Sequence, residues 1–313
     1  MILTITPNPS IDYLFETDTL CWDDANRVEM PRCRAGGQGV NLTRAARLLG
    51  GESVALAFFG GRAGHQLKEM LQAEGTPLVD VPIDAETRVF FGVREHATGR
   101  SLLVNPRGPV LGRADEQRLL ESTVRTCREL KPKWVVCSGS VPRGLSNDLY
   151  ARMGAIAHEH GARFVADCDG EQLSHAVARG CDLLAPNQHE AERLTSGPIP
   201  SVQAAAAAAH SLRGTAQEVF IKLGAAGAVA TSSAGCWVAK GPQLQSGSAV
   251  GAGDAFLAAA LVSKENGAPL AETLRAAVAA GTAVLRSRGS ELLTRSDYQD
   301  MLRQVEVEPV SAA

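Results

Sequence analysis

The sequence predicts an α/β fold: a mostly parallel sheet covered on both faces by helices, with a small second sheet beside it. Three observations carry this. Short apolar runs alternate with segments of helical spacing along most of the chain. Several of those runs are apolar throughout, as strands buried on both faces are. Two stretches, 11–35 and 87–104, break the alternation.

Residues 2–6, ILTIT, form an apolar run ending at Pro7 and read as a buried strand. In 39–51, Val40, Leu42, Ala45, Ala46, Leu48 and Leu49 fall at helical spacing, and glycines close the segment. A strand over 53–60 and a helix over 65–75 repeat the pair. The alternation resumes with strand 134–138, helix 147–161, strand 163–167 and a helix near 171–178. Strand 182–186 leads to helix 188–196 and then to helix 202–214. The six consecutive alanines of that last segment favour helix over linker, alanine being the best helix former. Strand 218–224 precedes a hairpin-like pair, AVATSS and CWVAKG. Alanine-rich helices over 253–266 and 270–285 and a short helix near 296–304 close the chain. Residues 11–35 have no helical period, and 87–104 read as two short strands joined by a glycine-containing turn. The predicted division is a core of 1–10, 36–86 and 105–313 and a β lid of 11–35 and 87–104.

At 313 residues, 45% hydrophobic and 21% charged, the chain has the composition of a soluble globular protein with a substantial core. A net charge of −3 gives no electrostatic case for binding nucleic acid or a membrane surface. The seven cysteines include no Cys-x-x-Cys pair, and several lie in apolar runs, which fits reduced thiols better than a disulfide framework. The histidines show no metal-ligand spacing. No signal-peptide pattern opens the chain, and no window approaches eighteen apolar residues, so a cytoplasmic location is expected.

Chemistry concentrates where strands end and helices begin. In SAVGAGDAF (248–256), Gly251 and Gly253 free the backbone at the mouth of a helix, and Asp254 follows at once. Unpaired amides and the positive end of the helix dipole suit the charge of a transferring phosphoryl group, and Asp254 could take a proton from an attacking hydroxyl. A turn with an acidic residue complementing the dipole accounts for the same residues. No G-x-x-x-x-G-K-[ST] loop exists in the chain. AGGQGVN (35–41) opens another helix, with Gly37 allowing close backbone approach and Asn41 able to bond hydroxyls. Asp12 follows the first strand, where open α/β sheets bind ligands. SGSVPRG (138–144) also follows a strand. Asn187 and Glu190 of PNQHE read either as a capping box or as oxygen donors near Mg²⁺, acting through water. Lys222, Gly224 and Gly227 in KLGAAGA end a further strand and could line a nucleotide groove. All these clusters would gather on one edge of one sheet.

NPSID, AGGQGVN, SGSVPRGL, PNQHE, KLGAAGA and VGAGDAF stand in the order found in the ribokinase-like, or PfkB, carbohydrate kinases. The chain resembles that family from residue 1 to about 290, and ILTITPNPSID and NRV (26–28) resemble its phosphosugar branch. The resemblance implies a ribokinase-like three-layer sandwich with a β lid that pairs with a neighbour's lid in a homodimer. It implies ATP and Mg²⁺ as cofactors and transfer of the γ-phosphate to a sugar hydroxyl. Asp254 would then be the base and the backbone of Gly251, Ala252 and Gly253 the anion hole. Asp12, Gly37 and Asn41 would hold sugar hydroxyls. Arg88 and Ser138 would hold the phosphate the sugar already carries, with Arg27 reaching over from a partner subunit. The acceptor implied first is fructose 1-phosphate, with fructose 6-phosphate and tagatose 6-phosphate beside it.

The sequence departs from the family pattern at Gln38, where the branch commonly has lysine, at Ala185 where lysine often precedes PN, and at Asp169, where serine is usual. Arg107, in NPRGP, stands where many relatives have glutamate and would restore the charge missing at Gln38. Gln38 also suits a kinase of an unphosphorylated sugar or nucleoside. Gln38 and Ala185 together suit a protein that binds nucleotide or phosphosugar without turnover.

Overall fold

Every residue of Ile2–Thr6 is buried, as a strand covered on both faces requires. In the computed structural model, which describes residues 1–244, 249–286 and 292–311, that strand is β1 and lies in the interior of a large sheet. The chain runs on through β2 (Ser10–Thr17), β3 (Arg32–Gly36), α1 (Gln38–Leu48), β4 (Ser53–Phe59), α2 (Gly61–Ala73) and β5 (Leu78–Pro82). A hairpin of β6 (Arg88–Glu95) and β7 (Ser101–Val104) precedes α3 (Arg113–Leu130), β8 (Trp134–Ser138) and α4 (Leu149–Glu159). Next come β9 (Arg163–Asp167), α5 (Gly170–Arg179), β10 (Cys181–Leu184), α6 (Gln188–Thr195), α7 (Val202–Leu212) and β11 (Ala216–Lys222). A 3₁₀ turn, Gly224–Ala226, leads to β12 (Ala228–Ser232) and β13 (Gly235–Lys240). The last elements are α8 (Ala252–Glu265), α9 (Leu270–Val284), α10 (Arg295–Gln304) and β14 (Glu306–Pro309).

The large sheet has the order β14-β13-β12-β11-β10-β9-β8-β1-β4-β5. From β11 to β5 all neighbours are parallel, and β12, β13 and β14 add an antiparallel edge. Alternate residues feed opposite layers. Ile2, Trp134, Val136 and Phe220 pack with α1, α8 and α9, whereas Leu3, Val135, Phe164 and Val219 pack with α4, α5 and α7. The strand order reverses between β1 and β8. That reversal opens a crevice at the carboxyl ends of the strands, where ligands of open α/β sheets bind.

A separate four-stranded sheet, β3-β2-β6-β7, stands over that crevice. β2 and β6 are parallel, and the outer pairs are antiparallel. The expected fold class is the observed one.

Three elements escape a reading of the sequence. α3 is the longest helix among the described residues, yet its buried stripe holds Glu116, Ser122, Thr123 and Thr126 beside Leu119, Leu120 and Cys127, which breaks the apolar period. The buried polar groups are satisfied locally. Thr123 and Thr126 donate back to the carbonyls of Leu119 and Ser122, and Glu116 accepts from the amide and hydroxyl of Ser146. β5 and β14 are short edge strands with half-exposed, mixed sequences. All seven cysteines are free thiols, four of them buried. Among the described residues no helix is long and apolar enough to cross a membrane.

Candidate active site

A cavity of about 740 Å³ occupies the crevice. Asp12, Gly37, Gln38, Asn41 and Arg88 line one end, beneath the small sheet. Asn187, Glu190, Lys222, Gly224 and Gly227 line the other, and Gly251, Ala252, Gly253 and Asp254 line the same cavity. Ser138, Arg27 and Arg107 do not line it.

Asp254 sits in the first turn of α8, whose N-cap Gly251 is left-handed with φ 89°. A side chain at Gly251 would also meet Leu292, a Cβ falling 2.3 Å from its Cδ1, so conformation and space both call for glycine there. The Ala252 amide donates to the Ala249 carbonyl at 3.0 Å, which narrows the expected anion hole. The amides of Gly253 and Asp254 are among the four that an α-helix leaves without an intrahelical partner. Lys222 Nζ reaches within 3.4 Å of where a Cβ on Gly253 would stand, bringing a cation to the same loop. Asp254 itself is buried, and Asn41 Nδ2 donates to its Oδ2 at 2.8 Å. Burial first, then the charge of Asp167, pushes its carboxyl up to about 7; the Asn41 bond, Lys222 and Arg34 oppose the rise. A carboxyl poised there is matched to proton abstraction near neutral pH.

Asn41 was expected to hold a sugar hydroxyl, and the structure gives its amide nitrogen to Asp254 instead. Its Oδ1 is buried and has no hydrogen-bond partner among the described residues, and it is the end left for a ligand. Asp12 lies on β2, with its Oδ1 accepting from Ser10 Oγ at 2.6 Å. Its carboxylate rests directly over Gly36, where a Cβ would fall 2.2 Å from Oδ1. Gly36→Ala is therefore expected to push Asp12 aside and raise the acceptor KM by roughly tenfold or more, while the KM for ATP stays put. Steady-state kinetics with each substrate varied in turn checks this.

Arg88 donates from Nε and Nη2 to the Asn8 carbonyl at 3.1 and 2.9 Å, and from Nη1 to the Pro106 carbonyl and Asn105 Oδ1. Asn8 Nδ2 in turn donates to Ser140 Oγ and to the Arg107 carbonyl. One residue thus ties the end of β1 to the 105–108 and 138–140 loops. Arg107 contributes only its backbone to this junction. Its side chain is exposed and away from the cavity lining, so it does not restore the charge missing at Gln38. Ser138 is fully buried, and its hydroxyl donates to Asp167 Oδ2 at 2.9 Å rather than facing an acceptor phosphate. Arg27 is exposed in the connection between β2 and β3.

At the far end, Asn187 and Glu190 form a reciprocal capping box that starts α6. Asn187 Oδ1 accepts from the Glu190 amide at 3.0 Å, and Glu190 Oε2 accepts from the Asn187 amide at 2.8 Å. The Glu190 carboxyl lines the cavity as well, so the two readings of PNQHE are compatible. Asp167, a lining residue that sequence reasoning missed, ends β9 and takes Lys222 Nζ at 3.5 Å. Burial raises the Glu190 carboxyl above its ordinary range, and the charges of Asp167 and Asp169 add to the rise. This concentration of hard, anionic oxygens fits a divalent cation such as Mg²⁺. Among the described residues no group of three His, Cys, Asp or Glu could hold a metal directly, so an ion here would be held through water and a ligand's phosphates. Pro242, Val278, Thr282 and Leu285 wall the cavity beside the Gly224–Gly227 turn and make an apolar slot suited to a flat base.

A glycine loop at a helix start, a buried carboxylate near neutrality, a lysine beside the loop and an apolar slot are the parts that phosphoryl transfer to a hydroxyl needs. Residues 8–296 match the model of the pfkB family carbohydrate kinases, and the chain belongs to that family. It is 32% identical over 301 residues to the ATP-dependent 6-phosphofructokinase isozyme 2 of Escherichia coli (strain K12), covering 95% of this chain and 96% of that one. It is 30% identical over 308 residues to the 1-phosphofructokinase of Bacillus subtilis (strain 168), covering 98% of this chain and 99% of that one. The crystal structure of phosphofructokinase-2 from Escherichia coli in complex with substrates and products superposes with a TM-score of 0.90 at 30% identity, over 96% of this chain and 98% of that one.

Proposed function

We propose that the protein transfers the γ-phosphate of ATP, with Mg²⁺, to a free hydroxyl of a ketohexose monophosphate, with fructose 1-phosphate as the first acceptor. The observation that carries this is one cavity with Asp12 and Arg88 at one end, Lys222 and Glu190 at the other and Asp254, in the first turn of α8, lining it with them. Fructose 6-phosphate is the second acceptor, supported by the 32% identity to a 6-phosphofructokinase; tagatose 6-phosphate follows.

Asp12 and Asn41 Oδ1 receive hydroxyl hydrogens of the sugar, and Arg88, held by its carbonyl bonds, faces the sugar's phosphate as a positive charge. Asp254 takes the proton of the acceptor hydroxyl. The oxygen bonds the γ-phosphorus as the bond from phosphorus to the β–γ bridging oxygen breaks, and ADP leaves. The amides of Gly253 and Asp254 and the Lys222 ammonium receive the charge on the transferring group. Mg²⁺, when bound, neutralises phosphate charge on the side of Glu190, Asn187 and Asp167.

A coupled ADP-release assay against fructose 1-phosphate, fructose 6-phosphate, tagatose 6-phosphate, fructose and ribose tests the reading. A kcat/KM for one phosphosugar above that for fructose or ribose by about 100-fold is expected. Equal turnover of fructose or ribose overturns the phosphosugar assignment. Thermal stabilisation by these ligands with no ADP release overturns the kinase in favour of a binding protein.

A homodimer formed through the small sheet completes the proposal, with Arg27 of one subunit reaching the other's cavity. The sheet exposes Phe91, stacked on Tyr13 with centroids 5.8 Å apart, together with Leu103 and Val104. The β2–β3 connection exposes Trp22 and Met30. Phe91→Glu is expected to convert a dimer to monomers in sedimentation and to raise the acceptor KM roughly tenfold. A variant that stays dimeric with an unchanged KM removes this interface.

A further inference from the structure

Arg34 lies on β3 directly across from Asp12 on β2 and is 6% exposed. Its Nε stands 3.7 Å from Asp12 Oδ2, an ion pair too long for a hydrogen bond, and among the described residues neither Nε nor Nη2 makes a hydrogen bond. An arginine cannot shed its charge, so burying one with two idle donors is costly unless that charge serves a neighbour. Arg44 and Arg32 make the place worse for a cation, whereas Asp12 and Asp254 make it better.

The neighbour is Asp12. It is buried beneath the small sheet, where loss of water favours its neutral form, and the charges facing it come from three elements. Arg34 faces it from β3, Arg88 from β6 and Arg44 from α1, while Ser10 donates to it from its own strand. Arg88 is already bound to backbone carbonyls, and Arg44 is paired with Glu74 at 2.6 Å. The start of α1 offers the uncharged Gln38 and no further cation. Asp12 lines the cavity and Arg34 does not.

We propose that Arg34 is a positioning residue for the acceptor sugar, acting through Asp12: its buried guanidinium keeps that carboxylate charged and turned to the cavity, and so sets affinity for the acceptor and not for ATP. The proposal rests on the reading of Asp12 as the group that receives the sugar's hydroxyls. An ionised carboxylate accepts from two hydroxyls at once, while a protonated one gives up part of that capacity.

The experiment compares the wild type with Arg34→Gln, Arg34→Lys, Asp12→Asn and the Asp12→Asn/Arg34→Gln double variant, using whichever of fructose 1-phosphate and fructose 6-phosphate is turned over. Arg34→Gln is expected to raise the acceptor KM roughly tenfold with the ATP KM within about twofold, and Arg34→Lys to recover most of the loss. In the Asp12→Asn background, Arg34→Gln is expected to add nothing, because its route has been removed. An equal further rise in that background overturns the proposal, as does a folded Arg34→Gln with both KM values unchanged. Where Arg34→Gln fails to fold, Arg34→Lys decides. Retained acceptor KM supports a charge acting through Asp12, and acceptor and ATP KM raised alike overturn it. An Asp12→Asn variant with an unchanged acceptor KM sinks the reading of Asp12 itself, and this proposal with it. A raised KM there with Arg34→Gln silent sinks only the role of Arg34.

Discussion

Asp254→Asn is expected to lower kcat by roughly 10²- to 10⁴-fold, the contribution of a positioned general base, while the Kd for ATP stays within about twofold. Asparagine keeps the shape and still accepts from Asn41 Nδ2, so the loop and its amides remain in place. What is lost is the ability to carry a proton away. The same residue sets the pH dependence. Its carboxyl is held up to about 7 by burial and by Asp167, and the base works only when ionised. In the wild type kcat/KM should therefore rise with pH through about 7 and level off above it. That limb should be absent from the residual activity of Asp254→Asn. Near-wild-type turnover in the variant, or an unchanged pH limb, would remove Asp254 from the role of base. Direct measurement of ATP binding by calorimetry separates lost chemistry from lost nucleotide.

The parts of this site that were legible in the sequence are those whose local chemistry is unusual. Gly251 with Gly253 and Asp254 at a helix mouth is one; Gly37 and Asn41 opening α1 is another. Both open helices that cover the large sheet, α1 and α8, and helices that return the chain across a parallel sheet start beside the carboxyl ends of its strands, so the alternation predicts their convergence. Other parts needed the folded chain. Asp167 ends an apolar strand and looks like any turn-forming carboxylate until Ser138 and Lys222 are seen around it. Arg34 sits in a stretch with no periodic pattern, and only the register of β2 with β3 sets it against Asp12. Val278, Thr282 and Leu285 have the spacing of a core helix, and nothing local says that this stripe walls a cavity instead. Asn187 and Glu190 read as a cap or as cavity donors, two answers that the structure allows to be true together. Ser138 and Arg107 show the opposite failure. Motif position placed Ser138 at the acceptor and the charge missing at Gln38 suggested Arg107, whereas the Ser138 hydroxyl bonds Asp167 and the Arg107 side chain is exposed.

The second large effect runs against the first: Asp254→Asn should make the ligand-free protein more stable. In the unfolded chain this carboxyl titrates near 3.8, and in the folded protein near 7. Below both values it is protonated in either state and contributes no difference. As pH rises from 3.8 towards 7 the unfolded chain releases the proton and the folded protein keeps it, so the folded state binds more protons and loses stability with pH. Above 7 both forms are ionised and the loss is complete. At about 1.4 kcal/mol per tenfold in proton affinity, it amounts to roughly 4 kcal/mol. Asparagine does not titrate, so the variant escapes a cost that the wild type bears to keep a usable base. Urea unfolding at pH 5 and pH 8 measures it: the advantage of Asp254→Asn should be several kcal/mol at pH 8 and clearly smaller at pH 5. A variant less stable than the wild type by the same margin at both pH values would show that the carboxylate is structural. A gain that grows with pH, set beside the loss of kcat, is the trade between stability and activity that a buried catalytic charge produces.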